Sequence, residues 1–284
     1  MHGDGGVLVV GADGLIGAAV AARLEAAGTP VIRTSRRGSP GSIPLDLAAL
    51  PAEWAPSSGV TAAVLCAAIT STDECRTWPN DCRRVNVDAT CALGRRLADA
   101  GIRIVFLSTN LVFDGKTPFM PATSPRRPHT AYGRMKAEAE ERLFSLGIGT
   151  TVVRLTKVIG RTLPVIDRWQ DSLARGEPIR PLTDLVIAPV SLDLAATVIA
   201  AAAREPLGPI LQVSARADVS YADVAASLAR RWDAAADLVR PATAAERGLT
   251  IEHLPAHTTL DASLVRDKLG IEPPDPWAAI EACD

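Results

Sequence analysis

The chain has no C-x-x-C pair. Its five cysteines, Cys66, Cys75, Cys82, Cys91 and Cys283, are odd in number, and no zinc or disulfide framework follows from their spacing. Cys66 ends an apolar run, where a buried thiol is the ordinary outcome. No apolar stretch approaches the length of a membrane span. Cations are not in excess: the formal net charge is -2, whereas a surface that tracks nucleic-acid phosphates needs a clear surplus of Lys and Arg. His253 and His257 stand four apart, but Pro255 between them disfavours the helix that would make them a metal clamp, so no metal site is expected. Repeats and low-complexity tails are missing too. The first residues lack the charged and apolar regions of a signal peptide, and a cytoplasmic protein is expected.

What is present is an alternation. At 284 residues the chain can bury a full core. Val7-Leu8-Val9-Val10 is a short, wholly apolar run, as a strand covered on both faces requires. Helical spacing follows from Leu15 to Ala27 and stops at Gly28. Further strands are expected at 31–34, 62–67, 104–107 and 151–155. A long helix is expected from Asn80 to Ala100, and another carries Tyr132 and Lys136. This order implies an α/β fold of Rossmann type: a doubly wound parallel sheet with helices on both faces. After Leu155 the pattern loosens into helices near 165–175, 192–204, 221–232 and 262–269, with one strand at Ile210–Val213 returning to the sheet. We therefore expect a nucleotide-binding domain over 1–155, with returning segments near 185–213. A smaller, mostly helical substrate region would then comprise 156–184 and 214–284.

The first strand runs into Gly11-Ala12-Asp13-Gly14-Leu15-Ile16-Gly17, and a helix begins at once. Glycines allow a tight turn and close backbone approach. The helix N-terminus offers free N–H groups and partial positive charge to a pyrophosphate, so a dinucleotide is expected here. An NAD-selective site places an acid at the end of the second strand. Here that strand ends in Thr34-Ser35-Arg36-Arg37, with no acid before Asp46. Ser35, Arg36 and Arg37 suit a 2′-phosphate, which favours NADP(H) over NAD(H).

Tyr132 and Lys136 lie four apart on a helix and so point the same way. A free tyrosine has a pKa near 10, and a lysine ammonium beside it is expected to lower that value. Ser108-Thr109 lies at a strand's carboxyl end, where α/β sheets place their ligands. With the glycine loop upstream, these residues point to reduction of a carbonyl, or oxidation of an alcohol, by a nicotinamide. Thr109 would hold the substrate oxygen, Tyr132 would supply the proton, and Lys136 would also bond the cofactor ribose, so that Tyr132 and Lys136 both border the cofactor.

The chain resembles the extended short-chain dehydrogenases/reductases and, within them, the dTDP-4-dehydrorhamnose reductase group of sugar-nucleotide reductases. The resemblance is carried by Leu107-Ser108-Thr109-Asn110-Leu111-Val112-Phe113-Asp114-Gly115, leading to Tyr132-Gly133-Arg134-Met135-Lys136. It implies Thr109, Tyr132 and Lys136 as the catalytic set. It also implies Ala67, Ala68 and Ile69 against the cofactor, and Asp46 and Leu47 at the adenine. Asp73-Glu74 and Val85-Asn86 fall where the family has similar pairs. Asn110 stands where the family has Asp, and Lys157 where it has an aromatic group. Both are substrate-facing positions, and Leu254 replaces an expected Arg.

The expected substrate is a small molecule, a nucleotide sugar, with no nucleic acid and no membrane. The superfamily often forms dimers, and a monomer stays open. Two other readings stand beside the reductase: an epimerase that reoxidises its own cofactor, and a noncatalytic nucleotide-binding regulatory subunit. A 4,6-dehydratase needs Asp-Glu after its threonine, which Asn110-Leu111 does not supply.

Overall fold

The computed structural model describes residues 5–161 and 163–282; Cys283 lies outside them. Seven strands form the central sheet: β1 (Gly6–Val10), β2 (Val31–Ser35), β3 (Ser42–Pro44), β4 (Val60–Leu65), β5 (Arg103–Thr109), β6 (Thr150–Leu155) and β7 (Ile210–Val213). Their order is β7-β6-β5-β4-β1-β2-β3, and every neighbouring pair is parallel. The chain moves outward in one direction from β1 and in the other from β4. The crevice beyond their carboxyl ends is therefore the topological switch point, where such sheets bind ligands.

Strand alternation divides the core. Val7 and Val9 face the layer of α1 (Leu15–Ala26) and α7 (Leu192–Arg204). Leu8 and Val10 face the opposite layer, built from α4 (Thr90–Asp99) and α5 (Ala131–Phe144). The run Val7–Val10 is apolar throughout because both faces are covered. A third core gathers α6 (Pro164–Ala174), α8 (Tyr221–Arg231) and α10 (Pro276–Glu281) around Trp169, Leu173, Val224, Leu228 and Ile280. β7 returns to the sheet beside β6, as its sequence suggests.

The helix expected over Asn80–Ala100 forms as one unbroken helical run over 79–99, with a π-helical segment inside it. Two short helices, α2 (Thr72–Thr77) and α3 (Pro79–Arg83), lead into a π-helical segment, Arg84–Ala89, before α4 begins. Asn86, inside the π-helical segment, is fully buried. Its Oδ1 accepts the Ile69 N–H and its Nδ2 donates to the Ile69 carbonyl, each at 2.8 Å. The wider π turn turns that amide toward the backbone after β4. Among the described residues no helix is long and apolar enough to cross a membrane.

Candidate active site

The glycine loop sits between the carboxyl ends of β1 and β4. Gly11 has φ +84°, and a Cβ there would lie 2.9 Å from the Ala67 backbone. A Cβ on Gly17 would lie 2.2 Å from the Gly11 carbonyl oxygen. Gly17 therefore lets α1 start hard against the turn. Gly14 caps α1 without any side-chain bond, and no acid occupies the first turn. The first N–H groups of α1 thus lack a side-chain acceptor, as an incoming pyrophosphate requires. These features fit a dinucleotide. Leu15 is exposed at this end and Ile16 is half-buried.

Beyond β2, Arg36 and Arg37 are exposed, and among the described residues neither has a hydrogen-bond or ion-pair partner. Ser35 is buried, and its hydroxyl accepts the Ser39 N–H at 3.1 Å. Ser39 in turn donates its hydroxyl to Asp13, tying the basic turn to the glycine loop. Ser39 carried no signal in the sequence. Asp46 accepts the Ala48 N–H at 2.9 Å, and Leu47 is buried beside it.

The segment after β4 connects this loop to the acid–base candidates. The N–H groups of Cys66 and Ala67 both reach the Val10 carbonyl at 3.0 Å. The Cys66 thiol is pushed up to about 12 by burial, with an opposing influence from the Lys136 charge. Ala67, Ala68 and Ile69 are half-buried along the same edge. Thr109 ends β5; its Oγ1 accepts the Leu111 N–H at 3.2 Å and its hydroxyl donates to Asn110 Oδ1 at 3.4 Å. A Cβ on Gly133 would lie 2.2 Å from the Leu111 carbonyl oxygen. The Tyr-Gly pair therefore lets the start of α5 press against the turn that follows Thr109. Thr109 and Tyr132 are each 8% exposed.

The expected depression of the tyrosine pKa is not what this geometry produces. Burial pushes the Tyr132 phenol above its usual value, with a smaller contribution from Cys75. The same burial brings Lys136 down to about 8, although Glu140 opposes it. Lys136 Nζ donates to the Leu107 carbonyl at 2.8 Å and lies 5.9 Å from the Tyr132 ring centroid. Desolvation is the largest influence on each of the two groups.

Beneath these residues lies a buried polar network that had no place in the sequence reading. Glu140 has no solvent exposure and Arg154, from β6, has 1%. Glu140 Oε1 accepts from Ser108 Oγ at 2.5 Å and from Arg154 Nε at 3.0 Å. Its Oε2 accepts from Arg154 Nη2 at 2.7 Å and from Arg126 Nη1 at 3.2 Å. Arg154 Nη1 also reaches the Ala122 carbonyl at 2.9 Å. A carboxylate four residues past Lys136, on the face turned to the sheet, was the available signal. Glu252, from the C-terminal segment, is a second addition: its Oε1 accepts the Ala131 N–H at 2.8 Å, at the N-terminus of α5.

A family model described as RmlD substrate binding domain matches residues 5–283. The chain belongs to that family. It is 29% identical, over 248 residues, to a probable dTDP-4,6-dihydroxy-2-methyloxan-3-one 4-ketoreductase of Streptomyces antibioticus, covering 84% of this chain and 81% of that one. A shorter match, 28% over 109 residues, links it to methionine adenosyltransferase 2 subunit beta of Bos taurus, covering 38% of this chain and 31% of that one. Among solved structures, a dTDP-4-dehydrorhamnose reductase from Bacillus anthracis, in complex with NADP, has the same fold. The TM-score is 0.83 at 17% identity, covering 98% of this chain and 97% of that one. The resemblance read from the motifs is thus borne out: the chain is a member of the RmlD family and has the fold of these reductases.

The positions expected to face a substrate, Asn110 and Lys157, lie just beyond the ends of β5 and β6. Lys157 follows β6; it is exposed, and the packing around its amine holds it below the usual lysine range. Asn110 faces Thr109 instead of solvent alone. Asp184 accepts the Ala244 N–H with both oxygens at 3.0 Å, a structural tie. Arg126 is engaged with Glu140 and Glu141. His253 and His257 face different partners, the Asp114 carbonyl and Asp218.

Proposed function

We propose that this RmlD-family chain reduces a keto group on a nucleotide-linked deoxysugar with NADPH. One observation carries the reading: the segment Cys66–Ile69 packs against Gly11 on one side and reaches the surroundings of Lys136 and Asn86 on the other. On this reading the dinucleotide cradle and the Thr109–Tyr132–Lys136 set share one edge of the sheet, at its switch point.

The cofactor, when bound, supplies the hydride. Thr109 holds the carbonyl oxygen through its hydroxyl, which Asn110 orients. Tyr132 gives up the proton. With its pKa raised by burial, the phenol carries that proton throughout the neutral range, the state that reduction requires. Lys136 has three donors and spends one on the Leu107 carbonyl; the others serve the phenol and the hydroxyls of a bound ligand. Lys157 supplies a positive charge at the end of β6 for the substrate. Arg36 and Arg37 hold the 2′-phosphate of NADP, and their lack of partners among the described residues supports that role.

The test is to mix the protein with NADPH and a panel of nucleotide-linked 4-keto sugars and follow the absorbance of the reduced cofactor. Steady consumption is expected. Exchange of product without net consumption would mean an epimerase. Tight cofactor binding with no turnover on any carbonyl would mean the regulatory reading, to which Lys157 and the shorter match to a methionine adenosyltransferase subunit lend support. For the cofactor, Arg36→Glu is expected to raise the Michaelis constant for NADPH far more than for NADH. Equal changes for both would remove the 2′-phosphate assignment.

A further inference from the structure

Glu140 lies one helical turn beyond Lys136 and two beyond Tyr132, yet it contacts neither cofactor nor substrate in the scheme above. We propose that Glu140 is a positioning residue for the acid–base pair: it fixes the end of β5 under Thr109 and sets a negative charge facing Lys136. The proposal rests on the reductase reading for its consequence, but its geometry stands alone.

The first part follows from the bonds. Ser108 directly precedes Thr109, and its hydroxyl donates to Glu140 Oε1. The neighbouring Leu107 carbonyl accepts from Lys136 Nζ. Helix α5 is therefore fastened to the last three residues of β5 at two points, one from each member of an i,i+4 pair. Arg154 Nε and Nη2 hold both Glu140 oxygens and extend the connection to β6. Gln212 on β7 adds the last link, its Oε1 lying 3.4 Å from Arg154 Nη1 and its Nε2 donating to the Met120 and Asp261 carbonyls. One buried carboxylate thus ties the catalytic helix to three adjacent strands.

The second part follows from what surrounds the ammonium. Its own helix presents Tyr132 and Glu140. β5 presents the Leu107 carbonyl and the Phe106 ring, 4.5 Å from Nζ. The segment after β4 presents Cys66, and α2 presents Cys75. Both thiols are themselves pushed up to about 12 and stay neutral at ordinary pH. Glu140 is thus the one carboxylate among the groups that oppose the cost of burying the Lys136 charge. Without it, burial acts unopposed and the amine form gains ground.

The chain's lysines are Lys116, Lys136, Lys157 and Lys268. Protein carrying isotope-labelled lysine side chains therefore gives a simple spectrum, and Lys136→Arg assigns the signal of interest. In the wild-type protein Lys136 is expected to titrate near about 8. Glu140→Gln should lower that midpoint and cut the ammonium-to-amine ratio at a fixed pH by roughly tenfold, the equivalent of one pKa unit. Glu140→Asp keeps the charge and should leave the midpoint near its wild-type value. If Glu140→Gln alone does not fold, Glu140→Gln combined with Arg154→Met removes the unpaired guanidinium and should show the same fall. An unmoved Lys136 midpoint in whichever Gln variant folds would overturn the proposal. In the reductase assay the alkaline limb of the kcat/KM profile should move down with the midpoint; a limb that stays in place would equally overturn it. The titration needs no substrate. Absence of wild-type turnover would therefore dispose of the reductase reading alone, while the spectrum still decides the role of Glu140.

Discussion

Tyr132→Phe lowers turnover of the carbonyl substrate by about 10²- to 10⁴-fold, the range that one positioned general acid contributes. NADPH affinity stays close to the wild-type value. The reason for the split is structural. The tyrosine ring packs with Cys75, Cys82, Val87 and Met135, and phenylalanine keeps that contact. Among the described residues no group bonds the phenol oxygen, so its removal breaks nothing in the resting protein. The proton source alone is lost. Single-turnover oxidation of NADPH separates the chemical step from product release, and fluorescence titration of the cofactor supplies the binding arm. Near-normal turnover in the variant would take Tyr132 out of its assigned role. A parallel fall in NADPH affinity would make it a packing residue instead.

Arg154→Met destabilises the protein by about 3–5 kcal/mol, the usual consequence of removing one partner of a buried ion pair. Arg154 and Glu140 are enclosed on all sides, and the carboxylate then keeps only Ser108 and the partly exposed Arg126. Desolvating an ion is expensive, and Arg154 offsets that cost through two short bonds. The shift is measured as a lower urea midpoint at unchanged slope. Combining Arg154→Met with Glu140→Gln should restore most of the loss, because neutralising both partners leaves no uncompensated buried charge. A single variant as stable as the wild type would show that water enters and solvates Glu140. The stability recovered in the double variant also separates folding from chemistry: it leaves the Lys136 surroundings without their carboxylate.

Much of the architecture could be read directly from the residues. Val7–Val10 is apolar without alternation because β1 is central in a parallel sheet, and only burial on both faces tolerates that pattern. Gly11, Gly14 and Gly17 were recognisable because a close backbone approach leaves a mark at fixed spacing. Tyr132 and Lys136 were legible for the same reason, since one helix keeps residues four apart on one face. The π-helical segment inside the 79–99 helical run was not legible. It carries Asn86, whose bonds to Ile69 join residues from different elements.

By itself, then, the sequence determined the fold class, the close-packed glycine turn and the shared helix face of Tyr132 and Lys136, because each is a local pattern. The tertiary structure alone decided which charges are free and which are spent. Arg126 is bound to Glu140, while among the described residues Arg36 and Arg37 have no such partner. It also brought Glu252 to the start of the helix that bears Tyr132. Above all it decided the protonation of the pair. A lysine near a tyrosine on paper lowers the phenol's pKa; buried together they move apart, Tyr132 upward and Lys136 downward. The sign depends on desolvation, which is set by how many groups from distant parts of the chain close over the site.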